Sequence, residues 1–291
     1  MTAGDFMSTI YICERLKETP KSETLISIKN EITEEELDLL NSYFDFTGDY
    51  HSITQILNIV IENGIEFKKW MDTKNLQNMR DKGVPPERLI MISNKLVLNY
   101  ASSTKTFIDM MQRLLKNRKP ECVETFLKLT NKFYDDNYEY RFWANFRNYG
   151  VHCSFPYSVF HEEEGFDCEV RCTREHLLKF NNWKHSRKDI EEMPEIVDLV
   201  LIVDEMSSFI YAFYLEFFYY ICNEFISNYK GFCEFKKKYG VKSPIILKTE
   251  EPITKETDLA GSKFQPLPLR EMNEIIKVMQ KHPSIKINII E

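Results

Sequence analysis

Residues 85–115, PPERLIMISNKLVLNYASSTKTFIDMMQRLL, are the stretch on which the fold turns. The paired prolines mark a break in the chain. Beyond them Leu89, Ile92, Leu96, Asn99, Ser103, Phe107, Met110 and Leu114 recur at the three- and four-residue spacing of one helix face. That pattern predicts a long helix ending near Leu115. Asn99 and Ser103 set small polar groups into the apolar stripe, either fixing register against a neighbouring helix or second subunit, or sitting as tolerated residues at a helix edge.

Working outward, Glu121–Phe133 carries Val123, Phe126, Leu127 and Leu129 and predicts a second helix, and a third is predicted from Tyr138 to about Val151. Upstream, Ser52–Met71 has Ile53, Ile56, Leu57, Val60, Ile61, Phe67 and Trp70 close to a helical period. Thr33 with Glu36 forms a capping-box signature ahead of Leu37, Leu39, Leu40 and Phe44. Short strands are predicted at Thr9–Cys13 and around Leu25, Ile26 and Ile28. After Pro156 the period changes to two, with Phe166, Cys168, Val170 and Cys172 alternating with polar neighbours. With Tyr157–Phe160 and a turn at Glu162–Gly165, this predicts a small hairpin.

Pro194 is placed at the first turn of a very long apolar helix reaching Phe225, rich in Phe and Tyr, of the kind that forms a core or dimer interface. The tail from Val241 predicts a strand at Ile245–Lys248, a polar loop, a helix at Pro268–Lys281 and a last strand at Ile285–Ile290. The fold class expected is therefore mainly α, a helical bundle with a small β-hairpin insertion and a small α+β tail. The expected organisation is an N-terminal, mostly helical region at 1–84, a helical domain at 85–230 with its insertion at about 157–172, and an extension at 231–291.

Composition agrees with such a globule. The 291 residues include only 9 Gly and 11 Pro, while aromatics reach 13%, which excludes collagenous, linker-rich and disordered classes. A net charge of −7 excludes a globally basic nucleic-acid coat, so a polyanion would be met by a local patch. The 7 cysteines, an odd number spread from Cys13 to Cys233 with no secretory leader, predict free thiols in a reducing, cytoplasmic setting. Asp198, Asp204, Glu205, Glu216 and Glu224 interrupt the most apolar stretch, so no membrane span is expected.

Residues 140–156, YRFWANFRNYGVHCSFP, concentrate the side chains that could carry chemistry. At about 100° per residue, Arg141, Asn145, Asn148 and His152 fall within about 60° of one another on a helix. Arg147 points about 140° from His152, so one regular helix would not aim both at the same atom. Either the backbone bends near Gly150 or a second copy contributes. Histidine suits proton transfer near neutral pH and arginine offers a fixed fork of donors to phosphate. RNA supplies its own nucleophile in the 2′-hydroxyl, so such a pair suffices without metal.

Arg147-Asn148-Tyr149-Gly150-Val151-His152 resembles the Arg, polar residue, three residues, His signature of the HEPN superfamily (higher eukaryotes and prokaryotes nucleotide-binding). The long helix and second helix ahead of the motif are similar too, and the resemblance covers roughly residues 85–230. It implies a HEPN-like bundle that forms a homodimer, two motifs facing each other in one composite site. It also implies metal-independent endoribonuclease activity on RNA, in a toxin or antiviral-defence effector with an antitoxin or defence-system partner. Carried over by position, His152 is the general acid/base, Arg147 holds the scissile phosphate and Asn148 orients the pair. Tyr149 would stack on a base, and Arg141 and Asn145 join it as candidate substrate-binding residues. No cofactor and no metal are expected. The inserted hairpin and the acidic net charge depart from a compact member of that group. The competing reading is a non-catalytic dimerisation, interaction or nucleotide-sensing module in which the motif only supports packing.

Other clusters carry weaker signals. Cys168 and Cys172, near Cys153, His161 and His176, have the wrong spacing for a zinc knuckle and read as inward-facing strand residues. The run Glu162–Glu164 reads as a solvated tip. His185, Arg187 and Lys188 around Trp183 would touch RNA and stack a base, or form an exposed loop. No glycine-rich phosphate loop, nucleophile elbow or paired-carboxylate motif stands out, which disfavours kinase, P-loop, Rossmann and serine-hydrolase readings.

Overall fold

The computed structural model describes residues 9–18, 24–161, 168–249, 252–254, 259 and 262–287. In chain order the first half holds β1 (Thr9–Glu18), β2 (Thr24–Glu31), α1 (Glu34–Met71), α2 (Thr73–Asp81), α3 (Pro86–Arg118), α4 (Val123–Asp136) and α5 (Tyr138–His152). The second holds β3 (Tyr157–His161), β4 (Cys168–Cys172), α6 (Arg174–Leu178), α7 (Ser186–Glu192), α8 (Leu199–Tyr239), β5 (Pro244–Thr249), β6 (Phe264–Pro266) and α9 (Leu269–Met279). The fold is mainly α. No described helix is long and apolar enough to cross a membrane.

The chain falls into two units, one of residues 52–220 and one joining residues 1–51 to residues 221–291. This differs from a division at 84 and 230, because α1 and α8 each contribute to both units and the two chain ends build one sheet.

In the unit of the two ends, the antiparallel sheet has the order β2-β1-β5-β6. Cys13, Ile245 and Leu247 form its buried seam, against which Tyr11, Ile26, Ile28 and Phe264 pack. The predicted capping box opens α1 as expected. The Thr33 amide donates to the Glu36 carboxylate at 2.9 Å, and the Glu36 amide donates back to the Thr33 hydroxyl at 3.3 Å. The helix then runs unbroken through Gly48 to Met71, joining two stretches that the sequence treats separately. Residues 285–287 are irregular, so the strand expected at Ile285–Ile290 is absent there, and its remainder lies outside the described residues.

The other unit is the bundle around α3. Its stripe is real: Leu89, Leu96, Ser103, Phe107 and Leu114 are buried, while Asn99 is exposed. Ser103 fixes register as one of the two readings holds, accepting from the Asn63 amide on α1 at 3.1 Å. Tyr100 ties α3 to α8, its hydroxyl donating to the Val203 carbonyl at 3.0 Å. The hairpin β3–β4 is antiparallel and pinned to α3 by Asn94, whose side chain accepts from the Tyr157 amide at 2.9 Å and donates to its carbonyl at 3.1 Å. Its turn, with Glu162–Glu164, Gly165 and Phe166, lies outside the described residues.

Pro194 does not open the long helix. Residues near it are held extended by the Val197 amide donating to the Cys172 carbonyl at 2.9 Å, and α8 begins only at Leu199 with Asp198 accepting from the Val200 amide at 2.8 Å. It outruns Phe225 and stops at Gly240, whose φ of +59° a residue with a Cβ adopts only under strain. The short helices α2, α6 and α7 and the edge strand β6 have no strong sequence period and were not expected.

Candidate functional site

Helix α5 carries every residue of the candidate site, and its two faces do different work. Phe142, Trp143, Phe146 and Tyr149 are buried at the spacing of one apolar face. The rings of Phe142 and Tyr149 stack on Trp183 with centroids 5.3 and 5.5 Å away. The indole N–H of Trp183 donates to the Leu177 carbonyl at 2.7 Å. Trp183 is fully buried and is therefore core, which removes it as a base-stacking surface. His185 and Lys188 stay exposed around it, and Arg187 pairs with Glu191 within α7.

The polar stripe divides along the helix. At its N-terminal half, Arg141 grips Asp189 of α7 with two bonds of 2.9 Å and also donates to the Tyr134 and Asp135 carbonyls at 2.9 and 2.6 Å. Those carbonyls belong to the last turn of α4, where acceptors lack helical partners. The bonds to Asp189 raise the guanidinium's already high pKa. One turn on, the Asn145 amide donates to the Arg141 carbonyl at 3.0 Å and to the Ser186 hydroxyl at 3.1 Å. Tyr149 donates to the Phe155 carbonyl at 3.3 Å, and burial pushes its phenol above the ordinary value. Arg141, Asn145 and Tyr149 thus have their polar groups spent on α4, α7 and the turn after α5. None of them is open for the substrate contact the sequence reading assigns.

The C-terminal half is open. Arg147, Asn148 and His152 are exposed on α5, and no described residue offers their side chains a hydrogen bond or ion pair. The helix stays α-helical across Gly150, so the backbone does not bend to bring Arg147 and His152 together. Gly150 lies close against α3 rather than at a turn: a Cβ there would lie 2.5 Å from Cδ2 of Leu98, whose side chain would have to shift. No protein-family model, curated protein or solved structure matches this chain. What the site does must be argued from its own side chains.

Two concavities flank the open turns. On one side a pocket of about 200 Å³ is formed by α3, α5 and α8, with Arg147 and Asn148 at its edge and Tyr140, Trp143 and Met206 in its wall. On the other side, α3 and the turn after α5 form an apolar groove of about 470 Å³ lined by Ile90, Met91, Leu98 and Phe155. Phe155 and Val151 are 55% and 63% exposed, large values for apolar side chains within three residues of His152.

Cys172 is buried as the strand pattern predicts, and burial raises its thiol pKa. His176 accepts from or donates to Ser154 at 3.0 Å, and burial, with Lys179 nearby, lowers its pKa. Among the described residues, no three His, Cys, Asp or Glu side chains converge as metal ligands would. The contributions of Asp189 and Ser186 were missed by sequence reasoning. They lie far along the chain from α5, and no local period announces which polar residues of α7 turn inward.

Proposed function

We propose that this chain is a metal-independent endoribonuclease of the HEPN type, a toxin or antiviral-defence effector working as a homodimer. One observation carries the reading: Arg147, Asn148 and His152 stand exposed and uncommitted at the end of a helix that Arg141, Asn145 and Tyr149 anchor to its neighbours. Because α5 is regular, Arg147 and His152 of one copy diverge, and a shared site calls for the motif of a second copy. The apolar groove and the exposed Val151 and Phe155 beside His152 give such a copy a surface to cover.

In the composite site one neutral His152 takes the proton of the ribose 2′-hydroxyl as its oxygen attacks the adjacent phosphorus. The bond from phosphorus to the 5′-oxygen breaks, and a protonated His152 of the partner subunit supplies that oxygen's proton. The products are a 2′,3′-cyclic phosphate and a free 5′-hydroxyl. Arg147 offers its planar fork to the non-bridging oxygens, where charge grows in the transition state, and Asn148, one turn from His152, orients the ring.

The test is RNA cleavage in chelator-containing buffer by wild type, Arg147→Ala and His152→Ala, with folding and dimer mass measured in parallel. Wild type alone should cut, leaving cyclic-phosphate or 3′-phosphate ends, and His152→Ala should lose about 10²–10⁴-fold in rate. If none of the three folded proteins cuts any RNA, the catalytic reading fails. The same apolar groove then favours the second reading, a non-catalytic dimerisation module.

A further inference from the structure

The pocket between α3, α5 and α8 carries one sign of charge in a chain whose net charge is the other. Lys105 of α3 and Arg147 of α5 both line it, and no described carboxylate does. The chain as a whole stands at −7, so two cations meeting at one concavity run against its average and form the kind of local patch a polyanion needs. The remaining lining is neutral, with the exposed Asn148 able to donate and Ile108 and Met206 apolar.

The two cations come from helices that run antiparallel. Gly150 meets Leu98 at one level of the seam, Lys105 lies about 10 Å further along α3, and Arg147 lies about 5 Å along α5 in the same direction. Their roots are therefore staggered by about 6 Å, which addresses two positions of a bound strand rather than one oxygen twice. Their partners differ as well. Arg147 has no described hydrogen bond or ion pair, whereas Lys105 is paired with Asp109 one turn along α3, each side chain about half exposed. A pair so open to water is worth little and yields to a stronger anion. About 200 Å³ is smaller than a drug-sized site and admits one phosphate with part of its sugar rather than a whole dinucleotide.

We infer that Lys105 is a second RNA-binding cation, which leaves Asp109 to take the phosphate next to the one Arg147 holds. The inference rests on the ribonuclease reading. A lysine ammonium is a compact charge on a flexible stem, able to turn from a carboxylate on its own helix to a phosphate oxygen at the pocket. Asp109 is then the internal anion that the RNA displaces. Its removal strengthens RNA binding, although Asp109 lies outside the pocket lining.

The experiment is fluorescence-anisotropy titration of the full chain with a short 2′-O-methyl RNA, whose blocked 2′-oxygen prevents cutting, at several salt concentrations. One lost phosphate contact lowers the steepness of log affinity against log salt by about 0.7, and a contact with that dependence is worth about fivefold at 0.1 M salt relative to 1 M. Lys105→Gln should show both effects with an unchanged melting temperature. Asp109→Asn should tighten binding by about two- to fivefold and lose that gain when combined with Lys105→Gln. Lys128→Gln, which breaks a similar exposed pair with Glu124 on α4 outside the pocket lining, should match wild type. No binding of this RNA, wild-type affinity and slope in Lys105→Gln, an equal loss in Lys128→Gln, or an Asp109→Asn gain that persists undiminished without Lys105 would overturn the inference. The expected pattern in a protein that never cuts unmodified RNA would instead sink only the ribonuclease reading, and cutting by a protein whose affinity ignores Lys105 would sink only the role of Lys105.

Discussion

Replacing Arg141 separates an anchoring role from a substrate-binding one. Arg141→Ala removes a bidentate pair with Asp189 and two bonds to the end of α4, four contacts between 2.6 and 2.9 Å. Hydrogen bonds to charged groups contribute about 1.5–3 kcal/mol each when they act alone, but these four share one guanidinium and do not add. The two side chains are also 17% and 20% exposed, so water replaces part of what is lost. Removing one partner of a buried pair costs about 3–5 kcal/mol, and partial exposure argues for the low end, about 3 kcal/mol. At about 2–4 °C per kcal/mol, the melting temperature should fall by about 6–12 °C, followed by far-ultraviolet circular dichroism. Arg141→Lys keeps the charge but loses the fork and should recover part of the loss. A double-mutant cycle with Asp189→Asn should give a coupling of about 1–3 kcal/mol. Melting unchanged within about 1 °C, or a coupling near zero, would refute the anchoring argument and return Arg141 to the substrate.

Ser186→Ala should destabilise by about 1–2 kcal/mol, because it strips one partner from the buried Asn145 amide; a lower urea midpoint at unchanged slope is the expected record. Thr33→Ala should cost about 1 kcal/mol by opening the capping box of α1, again read from the urea midpoint. Burial works to raise the Glu36 pKa, but bonds from Lys238, the Thr33 amide and Tyr239 outweigh it and hold the group below the ordinary glutamate range. Its contribution is therefore complete above that range and lost as pH falls through the lower folded value. The stability advantage of wild type over Glu36→Gln should be flat near neutrality and shrink only in acid. Gly240→Ala should cost about 1 kcal/mol in thermal melting, since the helix stop at α8 needs a positive φ.

The long helices were legible because their signal is local. The period of α3, the capping box of α1 and the alternation of β4 each sit within a few residues, and the physics that produces them acts over the same distance. What escaped was set by partners far along the chain. Pro194 looks like a helix start, yet the Val197 amide is claimed by Cys172, so the segment stays extended and α8 begins later. Nothing near residue 245 announces that it will pair with β1 and so join the two ends of the chain in one sheet. The candidate site shows the same limit. Six polar or aromatic residues of α5 can be read as one functional set, but tertiary partners divide them, and the sequence of α5 alone does not contain Asp189 or Ser186.

That division bears on what the open residues can do. A catalytic group has to be held within a fraction of an ångström of its working geometry, and side chains at the frayed end of an isolated helix would not be. Here Arg141 and Asn145 fix the root of α5 to α4 and α7, while Tyr149, stacked on Trp183 and bonded to the turn that follows, fixes its tip. Arg147, Asn148 and His152 therefore project from a backbone that is braced on both sides of them, although no described residue gives their own side chains a hydrogen bond or ion pair. The closest brace is the contact of Gly150 with Leu98, where a Cβ would displace the end of the Leu98 side chain. The residues read from the sequence as substrate contacts are ones that hold the helix to its neighbours. If the open three are catalytic, damage to the anchors should lower stability and rate together, whereas damage to the open three should lower rate alone.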